Sequence, residues 1–144
     1  MRIWHYELLP YLPELQFKGQ LRELVVIAKD LLKSGKTNHL LINKVMEYSE
    51  QELAGYFFKY AEEYKKRYGK EPKNEIYVLF GILSGYTSKT PCFENWHNKE
   101  YLRVCMANLY EKHIFGVGKS RITDEEWQKL IDAYKEITGE HWEI

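Results

Sequence analysis

An arginine–glutamate pair, Arg22-Glu23, lies close in sequence to Met1, the first residue of the chain. An α-amine has a pKa near about 7.7–8.0, against about 10.4 for a lysine side chain. A useful fraction of such an amine is therefore unprotonated at neutral pH and can attack a sugar aldehyde. A nearby carboxylate can transfer the protons of that reaction. The pattern predicts a catalytic centre if the Met1 amine and the Glu23 carboxylate meet.

The position of Glu23 on its predicted helix supports two interpretations. At about 100° per residue, Glu23 lies nearly opposite the apolar stripe of this helix. It shares its face with Gln16 and Gly19, while Val26 and Ile27 would give it a partly apolar surround. A helical glycine costs roughly 1 kcal/mol relative to alanine, and close approach of a ligand or another chain would offset that cost. The alternative is a solvated glutamate beside a glycine that serves packing.

The elements that must position these residues are helical. Apolar residues recur at helical spacing after Pro13, and Ser34-Gly35 would end the first helix. The predicted apolar stripe of this helix comprises Phe17, Leu21, Leu24, Val25, Ala28, Leu31 and Leu32. The further predicted helices cover about 40–68 with a break near Tyr48, 99–113 and 123–137, and the run 75–83 fits a helix or a strand. The sequence therefore predicts an all-α, compact single domain over residues 1–144. This bundle of about five helices has an extended N-terminal arm, which Trp4 would anchor in the core.

Several polar residues and glycines mark the expected helix ends. Asn98 is a candidate N-cap, and Thr123 with Glu126 forms the pattern of a capping box. Ser49 with Glu52 forms the same pattern, which is the reason to divide the region 40–68 into two helices. Gly69 and Gly139 are candidates for the residues that end helices at their C-termini. In the helix after Asn98, the residues expected to face the core are Leu102, Cys105, Met106 and Leu109.

Charge is balanced overall but unevenly distributed along the chain. The formal net charge is zero, which argues against strong non-specific nucleic-acid binding. Residues 1–44 carry seven basic and four acidic residues, whereas residues 123–144 carry two basic and seven acidic ones. A polyanion would therefore approach the N-terminal side and avoid the C-terminal helix. The alternative interpretation of these residue counts is that the charged residues lie on solvated helix faces of mixed charge.

Other patterns exclude several classes of site. Cys92 and Cys105, without a signal-like segment, indicate reduced thiols in a cytoplasmic protein. No apolar run approaches the roughly 20 residues that a membrane span requires. The histidines lack metal-ligand spacing, and Gly118-Lys119-Ser120 lacks the earlier glycine of a phosphate-binding loop. We therefore expect no metal, no cofactor and no bound nucleotide.

The aromatic and basic residues of the segment 56–68 also support two interpretations. Aromatic side chains among lysines can form a stacking platform for nucleic-acid bases. At helical spacing, however, such aromatics more often form a core stripe beneath a solvated face. The spacing here favours the core.

The N-terminal residues resemble the pyrimidine dimer DNA glycosylase family, of the phage endonuclease V type. The resemblance rests on Met-Arg-Ile-Trp-His at residues 1–5, Leu-Pro-Tyr-Leu-Pro at residues 9–13, and then Gln16, Gly19 and Arg22-Glu23. It is nearest to a bacterial branch that opens Met-Arg-Leu/Ile-Trp-His. Supporting fragments are Asn38-His39, Asn43, Val45, Tyr101-Leu102-Arg103, Asn108-Leu109 and Lys112.

The resemblance implies a DNA repair glycosylase with abasic-site lyase activity on pyrimidine dimers or other damaged bases. The amine of Met1 would form an imine with the sugar C1′, and Glu23 would act as acid and base. Arg2 and Arg22 would hold phosphates. The other residues expected at the DNA are Gln16, Gly19 and His39. The expected partner is double-stranded DNA with a lesion or abasic site, bound by a monomer without a membrane or a nucleotide cofactor.

The chain also departs from the family pattern. Arg2 should block removal of the initiator methionine, so the nucleophile would be the amine of an uncleaved Met1. Val26 stands where the phage type has a further arginine, which leaves the choice of lesion open. A non-catalytic module that binds DNA or a protein is therefore the alternative function, and a small helical enzyme acting on another substrate is a third.

Overall fold

The computed structural model describes residues 3–34, 50–85, 93 and 95–143, and these ranges form a helical bundle without a strand. The five α-helices of the described ranges are α1 (Glu14–Ser34), α2 (Glu50–Tyr68), α3 (Asn74–Ser84), α4 (Lys99–Ile114) and α5 (Asp124–Thr138). A 3₁₀ helix, Tyr6–Tyr11, precedes α1, and a short 3₁₀ turn, Gly118–Ser120, precedes α5. The predicted all-α class is confirmed. None of these helices is long and apolar enough to span a bilayer.

Local signals place the helix ends where the sequence predicts them. The Asn98 side chain accepts a hydrogen bond from the backbone N–H of Tyr101, and Thr123 and Glu126 form both halves of a capping box. Gly139 ends α5 in the left-handed conformation, with φ of 75°. The proposed break near Tyr48 and the Ser49 cap lie outside the described residues.

The ambiguous run 75–83 is a helix. Gly85 adopts the left-handed conformation and its N–H caps the last turn of α3. Phe80 stacks on Phe57 of α2, with ring centroids 4.2 Å apart, so α3 buries one face against α2. Because α3 packs on both α1 and α2, tertiary burial decides a choice that the short apolar pattern leaves open.

The aromatic residues of α2 belong to the core. Tyr56, Phe57 and Tyr60 are fully buried, which confirms the prediction of a core stripe over that of a stacking platform. The expected inner face of α4 is also buried; its members are Leu102, Cys105, Met106 and Leu109. The Cys105 side chain is fully buried, and Cys92 lies outside the described residues.

The apolar stripe of α1 is rotated from the predicted one. Leu32, assigned to the stripe, is 42% exposed, whereas Gln20 and Ile27 are almost fully buried. The prediction for Leu32 is wrong, because the buried face of α1 includes the side of Gln20 and Ile27, where the N-terminal arm contacts Gln20, and Leu32 does not lie on that side. Trp4 lies in the core, as expected.

Candidate active site

The N-terminal arm, residues 3–12, is tied to α1 through the backbone of Trp4. The backbone N–H of Trp4 donates to Gln20 Oε1 at 2.7 Å. The Tyr56 hydroxyl lies 2.6 Å from the Trp4 carbonyl oxygen and 3.0 Å from Gln20 Oε1. Because all three groups are buried, these hydrogen bonds fix the position of the arm over one turn of α1.

A second attachment holds the arm to α4. Ile3 is buried, and the Tyr101 hydroxyl donates a hydrogen bond to its carbonyl oxygen. The first two described residues of the chain are therefore held by partners on three helices.

The predicted catalytic glutamate lies one turn from this attachment. Glu23 follows Gln20 by three residues, so the two side chains leave the same side of α1 about 4.5 Å apart along the axis. Glu23 is half-buried, Ile27 beside it is buried and Arg22 is exposed. The carboxylate thus lies at the border between the core and the surface.

Gly19 leaves open space on this surface. A Cβ added at Gly19 would meet only the Arg22 guanidinium, at 3.7 Å, which is ordinary van der Waals contact. Packing within the described residues therefore does not require a glycine at this position, although a glycine makes the helix less stable than an alanine would. This observation is consistent with the expected close approach of a ligand over Gly19.

Gln16 has an unusual environment for a polar side chain. Its Oε1 atom is buried and has no hydrogen-bond partner among the described residues. A buried acceptor of this kind is unfavourable unless something else supplies a donor. Gln16, Gly19 and Glu23 lie on one side of α1, with the exposed Arg22 next to them.

Two buried histidines support the arm from the other side. His5 Nδ1 accepts from the backbone N–H of Glu7 at 3.1 Å, and His97 Nδ1 accepts from that of Tyr6 at 3.0 Å. Burial lowers the pKa of His5 to about 4, against which hydrogen bonds to backbone groups of His97 and Asn98 act. Both imidazoles are neutral at pH 7, since burial also lowers the pKa of His97 to about 2.

His97 thus has a structural role, because it supports the N-terminal arm from outside it. The rings of His5, Tyr6, His97 and Tyr101 stack in one cluster, with neighbouring centroids 5.0–5.7 Å apart. No group of three or more metal-ligating side chains occurs in the described parts of the chain. Cys92 and Glu94, the potential metal ligands nearest to His97 in the sequence, lie outside those parts.

Two clefts adjoin the arm. A cleft of about 330 Å³ is bordered by His5, His97 and Lys99. A larger one of about 610 Å³ lies between residues 10–14 and α5. Its charged lining is mainly acidic, and it therefore suits DNA poorly; the charged residues are Glu14, Arg67, Glu126, Lys129, Asp132 and Glu136.

Of the predicted site residues, four lie together on α1, namely Gln16, Gly19, Arg22 and Glu23. Met1, Arg2 and His39 lie outside the described residues. Sequence reasoning did not identify the residues that hold the arm, which are Gln20, Tyr56 and Tyr101. The sequence signal that could have identified Gln20 was its position one helical turn before Glu23.

Comparison with known proteins is informative at the level of the family. The family model described as "Pyrimidine dimer DNA glycosylase" matches residues 1–76, which include the arm, α1, α2 and the start of α3. No curated protein and no solved structure gives a significant match. The matched segment contains the anchored arm and the Arg22-Glu23 pair. The chain therefore belongs to the pyrimidine dimer DNA glycosylase family, whose members bind and repair damaged DNA.

Proposed function

We propose that this protein is a DNA glycosylase with abasic-site lyase activity, in which the Met1 α-amine is the nucleophile and Glu23 the acid and base. The amine attacks C1′ of the damaged nucleotide, the C1′–base bond breaks, and the base leaves with that electron pair and takes up a proton. Loss of a proton from nitrogen and opening of the sugar ring give an imine. Removal of a C2′ proton then expels the 3′ phosphate, and water hydrolyses the imine to regenerate the amine.

The observation that carries this proposal is the attachment of the arm to Gln20. The three residues from Met1 to the Trp4 nitrogen span at most roughly 10 Å. The Trp4 nitrogen is itself bonded to Gln20, one turn from Glu23. A span of this length would allow the Met1 amine to approach the Glu23 carboxylate, and the attachment of Trp4 would limit the conformations that must be sampled to form this contact.

The surroundings of Glu23 suit a DNA backbone. Exposed Arg22 supplies a permanent positive charge with bidentate geometry for a phosphate. Gly19 leaves room for the backbone to approach, and the half-buried Gln16 side chain lies on the same side of α1, where we assign it a DNA contact from the family resemblance. We assign further phosphate and DNA contacts to Arg2 and His39 from the family resemblance.

Trapping of the imine tests the nucleophile. Borohydride reduces an imine to a stable amine, so protein with a native terminus should become covalently attached to an abasic-site or pyrimidine-dimer duplex. Protein acetylated at its N-terminus should give no adduct, because the acetylated nitrogen cannot attack. Full trapping of the acetylated protein would refute the assignment of Met1.

A pair of matched variants tests the carboxylate. Glu23→Gln should retain binding to abasic-site DNA but lose strand cleavage by about 10²- to 10⁴-fold, the usual contribution of general acid–base catalysis. Glu14→Gln makes the same change on the exposed first turn of the same helix and should cleave normally. Equal cleavage by the two variants would exclude Glu23 as the acid and base.

The alternative function is a module that binds DNA or a protein without catalysis. Val26, in place of the further arginine, and the net charge of zero favour it. It predicts that neither N-terminal acetylation nor Glu23→Gln changes any DNA-dependent property. Adduct formation by the native protein would exclude it.

A further inference from the structure

Three neighbouring apolar side chains at the C-terminal end of α4 are exposed. Phe115 is 80% exposed and Val117 is 81% exposed, and Ile114 before them is 48% exposed. Single exposed apolar residues are common, but a contiguous group often marks a surface that binds something. We refer to Ile114, Phe115 and Val117 as the Phe115 tip.

The backbone of the Phe115 tip is closely packed. A Cβ added at Gly116 would lie 2.3 Å from the Lys112 carbonyl oxygen and 2.7 Å from the Arg121 Cα. That carbonyl oxygen also accepts a hydrogen bond from the Ile122 N–H at 3.2 Å. Only glycine fits at position 116, and the close approach of the two chain segments holds the tip in place.

The base of the tip is also attached to α5. His113 Nδ1 lies 2.8 Å from the Ile122 carbonyl oxygen. The His113 ring stacks on Trp127, with centroids 5.7 Å apart and planes 14° apart. The fold therefore presents Phe115 and Val117 to solvent from an ordered base, so a partner would find these side chains already arranged.

The segment that carries the tip is basic, which suits a polyanionic partner, and Arg121 pairs with Asp124 of the acidic start of α5 at 3.2 Å. Residues 112–123 contain no acidic residue, although α5 begins with three of them. Lys112 and Lys119 are both exposed on either side of the apolar side chains. Phosphates would be attracted to this segment, and Phe is a side chain that proteins insert between base pairs as a wedge.

We propose that the Phe115 tip is a second DNA-binding element, in which Phe115 inserts between base pairs of the duplex several base pairs from the lesion and Lys112 and Lys119 contact its phosphates. The inference rests on the proposed function, since it takes lesion-bearing duplex DNA as the substrate. It concerns a segment beyond residues 1–76, the part that matches the family model.

The length of α4 sets the expected distance from the lesion. Tyr101, near the start of α4, is bonded to Ile3 of the arm, and Phe115 follows fourteen residues later (115 − 101). A helix of that length spans roughly 20 Å, and B-DNA rises about 3.4 Å per base pair. The proposal takes α4 to run along the duplex, and Phe115 would then enter it about six base pairs from the damaged nucleotide.

Fluorescence of a base analogue tests the insertion. Duplexes with a stable abasic-site analogue would carry one 2-aminopurine at successive positions about four to eight base pairs to either side. The wild-type protein should increase the emission at one of them, because an inserted side chain unstacks the base. Phe115→Ala should abolish this increase and weaken binding roughly 5- to 150-fold, the range for one aromatic–base stack.

Matched variants separate insertion from a general effect on folding. Phe115→Tyr keeps the aromatic ring and should preserve both readouts. Ile82→Ala removes another exposed apolar side chain, on α3, and should change neither. Equal affinity and equal emission for wild-type protein and Phe115→Ala would overturn the inference.

Salt dependence tests the two lysines. Each phosphate contact contributes about 0.9 to the slope of log affinity against log salt. Lys112→Gln and Lys119→Gln should each reduce the slope by about this amount, whereas Lys135→Gln on the acidic α5 should leave it unchanged. An unchanged slope for both tip variants would remove the phosphate contacts from the proposal.

The readouts distinguish this inference from the proposed function. Emission that depends on Phe115, without borohydride trapping, would keep the tip as a DNA-binding element and refute the lyase. If the imine is trapped by borohydride but DNA binding does not depend on Phe115, only the proposal for the Phe115 tip is refuted. If Phe115→Ala changes only the sedimentation of the free protein, or only its binding to anionic phospholipid vesicles, the tip binds a second copy or a membrane and the DNA proposal is overturned.

Discussion

Gln20 is the residue on which the attachment of the arm depends most directly, and Gln20→Leu tests it. The Gln20 side chain is 1% exposed, and its Oε1 accepts from the Trp4 N–H. Leucine has a similar size but no acceptor, so the Trp4 N–H would be left buried without its partner. The Tyr56 hydroxyl would keep the Trp4 carbonyl oxygen as its acceptor.

The magnitude follows from the Trp4 N–H that loses its acceptor. A buried N–H without a partner costs about 1–3 kcal/mol. For a domain of this length, each kcal/mol corresponds to about 4 °C in Tm, so Gln20→Leu should melt about 4–12 °C below the wild-type protein. Borohydride trapping should decline more than the folded fraction does, because the released arm would no longer hold the amine near Glu23.

Gln16→Leu is the matched control for this experiment. It makes the same substitution one turn earlier on α1, at a side chain whose Oε1 has no partner among the described residues. Urea unfolding at pH 7 should therefore find Gln16→Leu equal to the wild-type protein or more stable. If the two variants differ by less than about 0.5 kcal/mol in the free energy of unfolding, the hydrogen bonds of Gln20 do not anchor the arm.

Two further predictions concern pH and Gly19. Because the pKa of His5 is lowered from 6.5 to about 4 in the folded protein, its contribution to stability is complete above pH 6.5 and is lost as the pH falls toward 4. His5 should therefore account for a loss of roughly 2 kcal/mol between pH 7 and pH 5. His5→Asn, which keeps an acceptor for the Glu7 N–H, should reduce this acid-induced loss in urea unfolding, and an unchanged loss would contradict the assignment. Gly19→Ala should raise the free energy of unfolding by up to about 1 kcal/mol, since the added Cβ meets only Arg22 in ordinary contact. The same variant should bind abasic-site DNA more weakly if the DNA backbone approaches Gly19, and unchanged affinity would remove Gly19 from the site.

Structural features that depend on residues close together in the chain could be predicted from the sequence alone. The caps at Asn98 and Thr123 and the stop at Gly139 agree with the structure because each joins groups within four residues of one another. The buried faces of α2 and α4 follow from helical periodicity in the same way. The N-terminal residues also sufficed to identify the family, because the resemblance lies in a short continuous segment.

The contact between the arm and α1 could not be predicted from the sequence, because it depends on tertiary packing. The hydrogen bonds that hold it join residues 16, 52 and 98 positions apart, and no local pattern records such pairs. The arm contributes to the burial of Gln20, a polar residue that periodicity does not assign to the core, so the buried stripe is rotated from the one drawn from periodicity alone. Arg22-Glu23 is thus visible in the sequence as a pair. Its place one turn from an anchored N-terminal arm results from packing between distant segments, which fixes the positions of side chains that local propensity leaves free.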